Sequence, residues 1–374
     1  MKRIFAFITI FAIIFISCSS KQVTTTTKKP IAKTNATTIN NLSIDDKKFQ
    51  IRTIAFYNLE NLFDTINDPK KLDEKSPIMD IKPKNRAKAY WSKIDNMAKV
   101  LSEIGTDKAK TSPAIIGVCE VENRAVLEDL IAHEKLKKKH YGIIHYESPD
   151  ERGIDVALLY QKRYFKPIDH QSYELEIIGA NGKRNDTRDQ LLVTGMLDGE
   201  IIHLIVNHWP SRSGGEQRSR PGREKAAALS VKIINDLKEQ YPNPKVIIMG
   251  DLNDDPINTS VKKILKAKSK KADLKEGDIY NPMADMFRRG LSTLGYRDNI
   301  NLFDQILLTS PLITTTKDYT NYKLFKANIY NPRYMTNKMG RYKGYPYRSW
   351  SGATFTGGYS DHYPVYVYLI KEKI

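Results

Sequence analysis

Cysteine is nearly absent: the 374 residues contain two, Cys18 and Cys119. That scarcity excludes a secreted scaffold held together by disulfides. Acidic residues are also short, 43 against 60 lysines and arginines, leaving a formal charge of +17. Such a balance excludes cationic partners as the natural choice and favours polyanions, nucleic acid or anionic lipid. The basic residues are spread along the chain rather than packed into one block. An apolar run long enough for a comfortable membrane span is missing as well. Residues 4–16, broken only by Thr9, fall short of the roughly 20 that a spanning helix needs. There is no internal repeat, and no second domain boundary is visible after the first fifty residues.

The short run has a different meaning. Met1-Lys2-Arg3 is a basic start, the apolar stretch follows, and Phe15-Ile16-Ser17-Cys18 closes it. This layout resembles a bacterial lipoprotein leader, residues 1–18, with Cys18 lipidated as the first residue of the mature chain. Phe15 stands where leucine is usual. Residues 19–48, rich in Thr, Ser, Asn and Lys, hold too little apolar surface for a core and are expected to be a flexible tether. The expected location is the cell envelope, at the outer membrane or surface of a Gram-negative bacterium. The folded part is expected over 49–374, where a 40% hydrophobic composition suffices for a sizeable core.

Four apolar residues in a row, Val246 to Met249, predict a strand buried on both faces. Gly250 lets the chain turn. Asp251 and Asn253 follow, and period-2 geometry would put both on one side of an extended chain. The pattern recurs. A strand from Phe49 to Tyr57 runs into Asn58 and Glu60. The run from Pro113 ends in Glu120, and one from Ile201 delivers Asn207-His208. Leu302–Leu308 carries Asp304 near its start, and Asp361-His362 precedes a final strand over 365–370. Strands are also expected over 141–145, 154–160 and 191–196, the last forming a hairpin through Asp198-Gly199. Helical spacing predicts helices over 86–104, 124–133, 221–239 (Pro221 in its first turn) and 256–267. Residues 268–296 read as irregular, and the Tyr-, Asn-, Gly- and Arg-rich stretch 319–358 as a long ordered surface loop. Cys119, inside an apolar run, reads as a small buried hydrophobe, and His203 as a satisfied core residue. Glu122 reads as a solvated turn residue. Arg212, Arg218, Arg220 and Arg223 read equally as a solvated helix start or as phosphate contacts.

One carboxylate at a strand end is an ordinary turn residue. Ligand, base and orienting types at the end of strand after strand are a site, because strand termini place variable loops over a rigid base. Six stretches in this order, Tyr57-Asn58-Leu59-Glu60-Asn61, Val118-Cys119-Glu120, Asn207-His208, Gly250-Asp251-Leu252-Asn253, Phe303-Asp304-Gln305-Ile306 and Ser360-Asp361-His362, resemble the endonuclease/exonuclease/phosphatase family, which includes the pancreatic-type deoxyribonucleases. The resemblance covers about 49–374. It implies an α/β fold, a four-layer sandwich of two mixed β-sheets packed face to face and flanked by helices. It also implies a metal-dependent phosphoric-ester hydrolase. Glu60, Glu120 and Asp361 are the implied ligands of a divalent ion, magnesium first, with manganese and calcium as alternatives. Asp251 is the implied orienter or base for the attacking water, with Asn253 helping to hold it. Asp304 is implied to fix His362, and His208 to stabilise the phosphate or protonate the leaving oxygen. Asn58, Asn207 and Arg152 are expected to contact substrate.

The fold serves several substrates. Inositol-phosphate phosphatases carry Trp-Cys-Asp-Arg near the position of Leu302-Phe303-Asp304-Gln305, which this chain lacks. Apurinic-site enzymes usually have a tyrosine-type residue where His208 stands. Sphingomyelinase-type members share the histidine but add an apolar hairpin, and only 319–359 offers a counterpart. The pancreatic-type nucleases match the histidines, the export and the charge, though not the disulfide they usually carry. The expectation is a lipid-anchored, metal-dependent nuclease acting as a monomer, with a nucleic acid as its partner. The alternatives are a phospholipid or sugar-phosphate phosphodiesterase and a non-catalytic binding member of the fold.

Overall fold

The computed structural model describes residues 48–179, 182–296 and 299–373. The leader, Cys18 and nearly all of the tether lie outside them. Two six-stranded sheets form the body. Edge to edge, the first runs Lys323–Ile329, Val365–Glu372, Phe49–Leu62, Ile115–Val121, Asp155–Gln161, Tyr141–His145. The second runs Ile279–Tyr280, Asp304–Thr309, Val246–Asp251, Glu200–His208, Gln190–Leu197, Phe165–Tyr173. Each sheet is mixed. Phe49–Leu62 lies parallel to Ile115–Val121 and antiparallel to Val365–Glu372, and Val246–Asp251 has the same relation to its two neighbours.

The strand period decides what packs where. Ile54 and Phe56 face inward with Val206, Met249, Ile306 and Val367, making a core between the sheets. Ala55, Tyr57 and Leu59 point the other way, onto helices Pro83–Glu103 and Arg124–Ala132. Ile205, Ile248 and Leu307 of the second sheet pack outward on helix Glu216–Gln240. These are the four layers that the family resemblance implies. At about 25 cal/mol per Å² of apolar surface buried, this double-sided burial is the main stabilising term. It also makes the central strands a stiff base for what stands at their ends.

Several local expectations change. Helix Glu216–Gln240 begins before Pro221 and keeps the proline inside it. Gly215, at φ 106°, starts the helix, and the Arg223 guanidinium returns to the Glu216 carbonyl to satisfy part of the disturbed first turns. Only a five-residue π turn, Ser260–Ile264, forms within 256–267. The segment 319–358 is not one loop: Lys323–Ile329 adds an edge strand to the first sheet, and Met335 and Trp350 join its core. Strand Phe165–Tyr173 carries no clean alternation and was not expected. The Asp198-Gly199 turn adopts positive φ at both residues, 46° and 88°, as a two-residue hairpin requires.

Candidate active site

The site lies where the central strands of both sheets end on the same side. Asp251 closes its strand and stands in register with His208 on one neighbour and Asp304 on the other. Asn58, opposite Cys119 in the first sheet, bridges the sheets. Its amide nitrogen donates to Glu120 Oε1 at 3.2 Å and to Asp251 Oδ2 at 3.1 Å. His362 Nδ1 lies 2.7 Å from Asp304 Oδ2. The two imidazoles face Asp251 alike: Nε2 of His208 and Nε2 of His362 each lie 3.8 Å from Asp251 Oδ2. That gap is too long for a direct hydrogen bond and suits a bridging oxygen.

Backbone irregularity aims these groups. The ladder shifts between Asn58 and Leu62 and again between Cys119 and Val121. Glu60 (φ 48°), Asn61 (54°) and Glu120 (58°) take left-handed conformations there, as does Asn253 (49°) beyond the second sheet. Such bulges re-aim side chains beside active sites, at a cost that the packed strands absorb. One outcome is that the Asn61 backbone N–H donates to Glu120 Oε2 at 3.0 Å. Another is that Asp251 and Asn253 are not a simple same-face pair. The Asn253 N–H donates to Asp251 Oδ1 at 2.9 Å, while its side-chain amide donates to the Trp209 carbonyl.

Burial sets the charges. Asp251 is pushed up to about 7, by burial first and by Asp304, against the pull of His362. Burial also works against charge on His362, but Asp304 and Asp251 outweigh it and hold the imidazolium well above the ordinary histidine range. His208 is held well below that range by burial, with Arg188, Arg152 and His362 adding to the effect, so it stays neutral. Its Nδ1 is buried without a partner. One histidine is therefore charged and the other neutral across a single carboxylate.

A third acidic group lies beside this pair. Glu60 is buried, accepts from the Ser349 N–H at 2.5 Å, and is pushed up to about 8 by burial and by Asp361. Arg348 spans the acids, with Nε 3.2 Å from Glu60 Oε1 and a terminal nitrogen 3.3 Å from Asp361 Oδ2. Behind them Lys93, almost fully buried, donates to Ser349 Oγ at 2.6 Å, and burial lowers it to about 8 although Glu60 resists. Among the described residues, two groups of three bring ligand atoms within 4.8 Å of one another: Asp251, Asp304 and His362, and, apart from them, His145, Glu147 and Asp155. Glu60, Glu120 and Asp361 are more open than that, and a guanidinium bridges two of them.

Asn58, Glu60, Glu120, His208, Asp251, Asn253, Asp304, Asp361 and His362 are thus gathered at one end of the sandwich. Arg152 stands at the rim, half exposed, 3.6 Å from Asp150, with its charge felt by His208. Asn207 does not reach the site. It is fully buried, donates to the Ile205 and Met249 carbonyls and accepts from the Trp209 indole, because the strand's alternation turns it away from His208. Glu122 is not a solvated turn residue either: buried, it accepts from the Asp64 N–H and is pushed up to about 8 by burial. Arg212 and Arg223 pair with Asp254 and pin helix Glu216–Gln240 to the loop after Asp251, whereas Arg218 and Arg220 stay at the surface. Cys119 and His203 are buried as expected, His203 2.9 Å from Thr194 Oγ1.

Three site residues escaped sequence reasoning: Lys93, Arg188 and Arg348. Lys93 had a signal, since it falls on the stripe of Tyr90, Ile94 and Met97 where a lysine is out of place. Buried Arg188 donates to Asp150 and to the Trp209 carbonyl, and nothing in its local sequence marks it.

Residues 53–371 match the family model described as Endonuclease/Exonuclease/phosphatase family. The chain belongs to that family. It is a phosphoric-ester hydrolase. Solved structures similar to it include a family protein from Bacteroides thetaiotaomicron, 14% identical over 87% of this chain and 99% of that one, with a TM-score of 0.50. A mannosyl-6-phosphatase from the same organism is 15% identical over 85% and 99% of the two chains (TM-score 0.49). Truncated TDP2 from Caenorhabditis elegans is 15% identical over 85% and 97% (TM-score 0.48). No curated protein matches the sequence. Among the described residues, no helix is long and apolar enough to cross a membrane.

Proposed function

We propose that this hydrolase is an exported, lipid-anchored phosphodiesterase that cleaves nucleic acid with the help of a divalent cation. The observation that carries the reading is the carboxylate of Asp251 placed 3.8 Å from both imidazole Nε2 atoms. A water between them has an acceptor for its proton and two nitrogens to hold a phosphate oxygen. Asp251 takes the proton. His362, kept cationic by Asp304, donates to the phosphate and stabilises the charge that builds on it. His208 is neutral, so its part is to hold an oxygen by a hydrogen bond rather than to supply the leaving group's proton. Asn58 keeps Asp251 and Glu120 in line, and Arg152 at the rim suits the next phosphate along a strand. The leader and the charge of +17, which is +15 once Lys2 and Arg3 leave with the leader, favour a polyanionic substrate outside the cytoplasm.

The acidic group suits a hard cation. Glu60, Glu120 and Asp361 offer only oxygen donors, and the bridging Arg348 is itself evidence that the notch between Glu60 and Asp361 draws positive charge. An ion held there would neutralise a phosphate oxygen as a Lewis acid. Arg348 then competes for the same carboxylates. Arg348→Gln is expected to raise magnesium affinity several-fold in substrate-free protein, read by titration calorimetry. An unchanged or weaker affinity would show that the arginine is not a competitor.

Asp304 gives a pH test. His362 acts while protonated, so activity is lost as pH rises through its raised pKa. Asp304→Asn removes the leading partner of that charge and lowers the pKa, so the alkaline limb of the rate profile should move to lower pH. A limb that stays in place would separate Asp304 from this role. The function itself is tested with purified protein lacking the leader. Plasmid DNA and RNA should be degraded with magnesium or manganese and spared under chelation. Intact nucleic acids alongside cleavage of choline lipids or sugar phosphates would replace this reading with the corresponding alternative.

A further inference from the structure

We infer that the loop 337–347 is a stacking platform for the unpaired bases of a single-stranded nucleic acid running into the site. The inference rests on the nuclease reading above and goes beyond it in naming the strand form and the surface that selects it.

One foot of the loop stands in the site and the other on its flank. At one end, Thr336 Oγ1 lies 2.7 Å from the hydroxyl of Tyr363, the residue next to His362. At the other, Arg348 reaches Glu60 and Asp361. The loop is closed on itself by the Asn337 N–H to the Tyr345 carbonyl and the Gly344 N–H to the Asn337 carbonyl, both at 2.9 Å. Tyr363 also donates from its hydroxyl to the Gly344 carbonyl at 3.3 Å. The Tyr345 ring lies flat against Gly295, where an added Cβ would stand 2.5 Å from ring carbons. The hairpin carrying Gly295 is in turn bridged to His362 through Leu294. The loop is therefore a braced projection over the histidine side of the site.

Its outer face interleaves cations and large side chains. Lys338, Arg341 and Lys343 are exposed, Met339 is 84% exposed and Tyr342 is 57% exposed. The Tyr342 ring lies 6.0 Å from the ring of Tyr345 and 6.0 Å from the Arg341 guanidinium, and it belongs to none of the core clusters. The combination is what single strands use: rings on which any base stacks, and cations that follow the phosphates. A bilayer-inserting tip would need a contiguous apolar face, and here every large side chain has a cation within two residues along the chain. In a duplex the bases are already stacked on one another, so the ring of Tyr342 has nothing to add.

The test is fluorescence anisotropy in chelator, where turnover is off, with a labelled oligothymidylate and a labelled duplex of equal length. Tyr342→Ala should weaken single-strand binding about tenfold and duplex binding by less than about twofold. Tyr342→Trp should restore single-strand binding and show quenching of its indole fluorescence on stacking. Single-strand affinity equal to wild type in Tyr342→Ala, or an equal loss for the duplex, would overturn the inference. So would a loss of binding to phosphatidylglycerol vesicles with the oligonucleotide unaffected. The nuclease reading fails separately, if wild-type protein with magnesium leaves the same oligonucleotide intact.

Discussion

Asp251→Asn is expected to lower kcat by about 10³-fold while leaving KM within a few-fold of wild type. The carboxamide is nearly isosteric. It can still accept the Asn253 N–H that now goes to Oδ1, while its amide nitrogen replaces the oxygen that accepts from Asn58, so that one hydrogen bond is lost. What it cannot do is take a proton from the water proposed to lie between Asp251, His208 and His362. The stability prediction has the opposite sign. Burial raises Asp251 to about 7 from an unfolded carboxylate value near 4. A carboxyl whose folded pKa is raised favours the fold fully below the unfolded value and loses that contribution as pH climbs through the folded one. Without metal, the asparagine variant should therefore gain stability over wild type between about pH 4 and pH 7, read by thermal melts in chelator. An inactive variant that melts lower throughout would mean a broken fold rather than a missing base. A variant with activity near wild type would remove Asp251 from the chemistry.

This opposition between stability and chemistry separates what the sequence makes legible from what it hides. The strand ends were legible because each functional residue closes or opens an apolar run, and the order of the six stretches carries the fold with it. Asn58, Glu120, His208, Asp251, Asp304 and His362 meet because parallel and antiparallel neighbours bring those ends to one side. The aim of each side chain was not legible. Glu60, Glu120 and Asn253 sit at positive φ, and simple alternation cannot foresee a bulge that follows from competition between two ladders. Asn207 shows the converse: it is beside His208 in sequence, yet the strand period sends it into the core. Counter-charges were least legible. Arg348 lies far along the chain from Glu60, and its role exists only because an edge strand and a small hairpin fold 319–358 back over the site.

Gly250→Ala should be among the damaging single methyls at the described glycines, and the one that bears most directly on the site. Gly250 is paired in parallel register with Asn207, and a Cβ there would lie 2.5 Å from the Asn207 carbonyl oxygen and 2.6 Å from its Cβ. Neither atom can retreat cheaply. The oxygen belongs to the backbone of a central strand, and the Asn207 side chain is locked by the Ile205 and Met249 carbonyls and the Trp209 indole. Overpacking of this kind costs about 1–3 kcal/mol, and more where backbone must move. The strands have to separate at the residue just before Asp251, so the carboxylate moves even in molecules that stay folded. A loss of more than about 3 kcal/mol in denaturant midpoint analysis is expected, with activity falling further than the folded fraction explains. Asn207→Gly in the same chain gives the discriminating control. It removes the Asn207 Cβ, which alanine would keep, but not the backbone oxygen, so against Asn207→Gly alone the loss should shrink only in part. Full recovery would place the strain in the side chain, and an unaffected Gly250→Ala would show that the two sheet strands are not held as closely as their register requires.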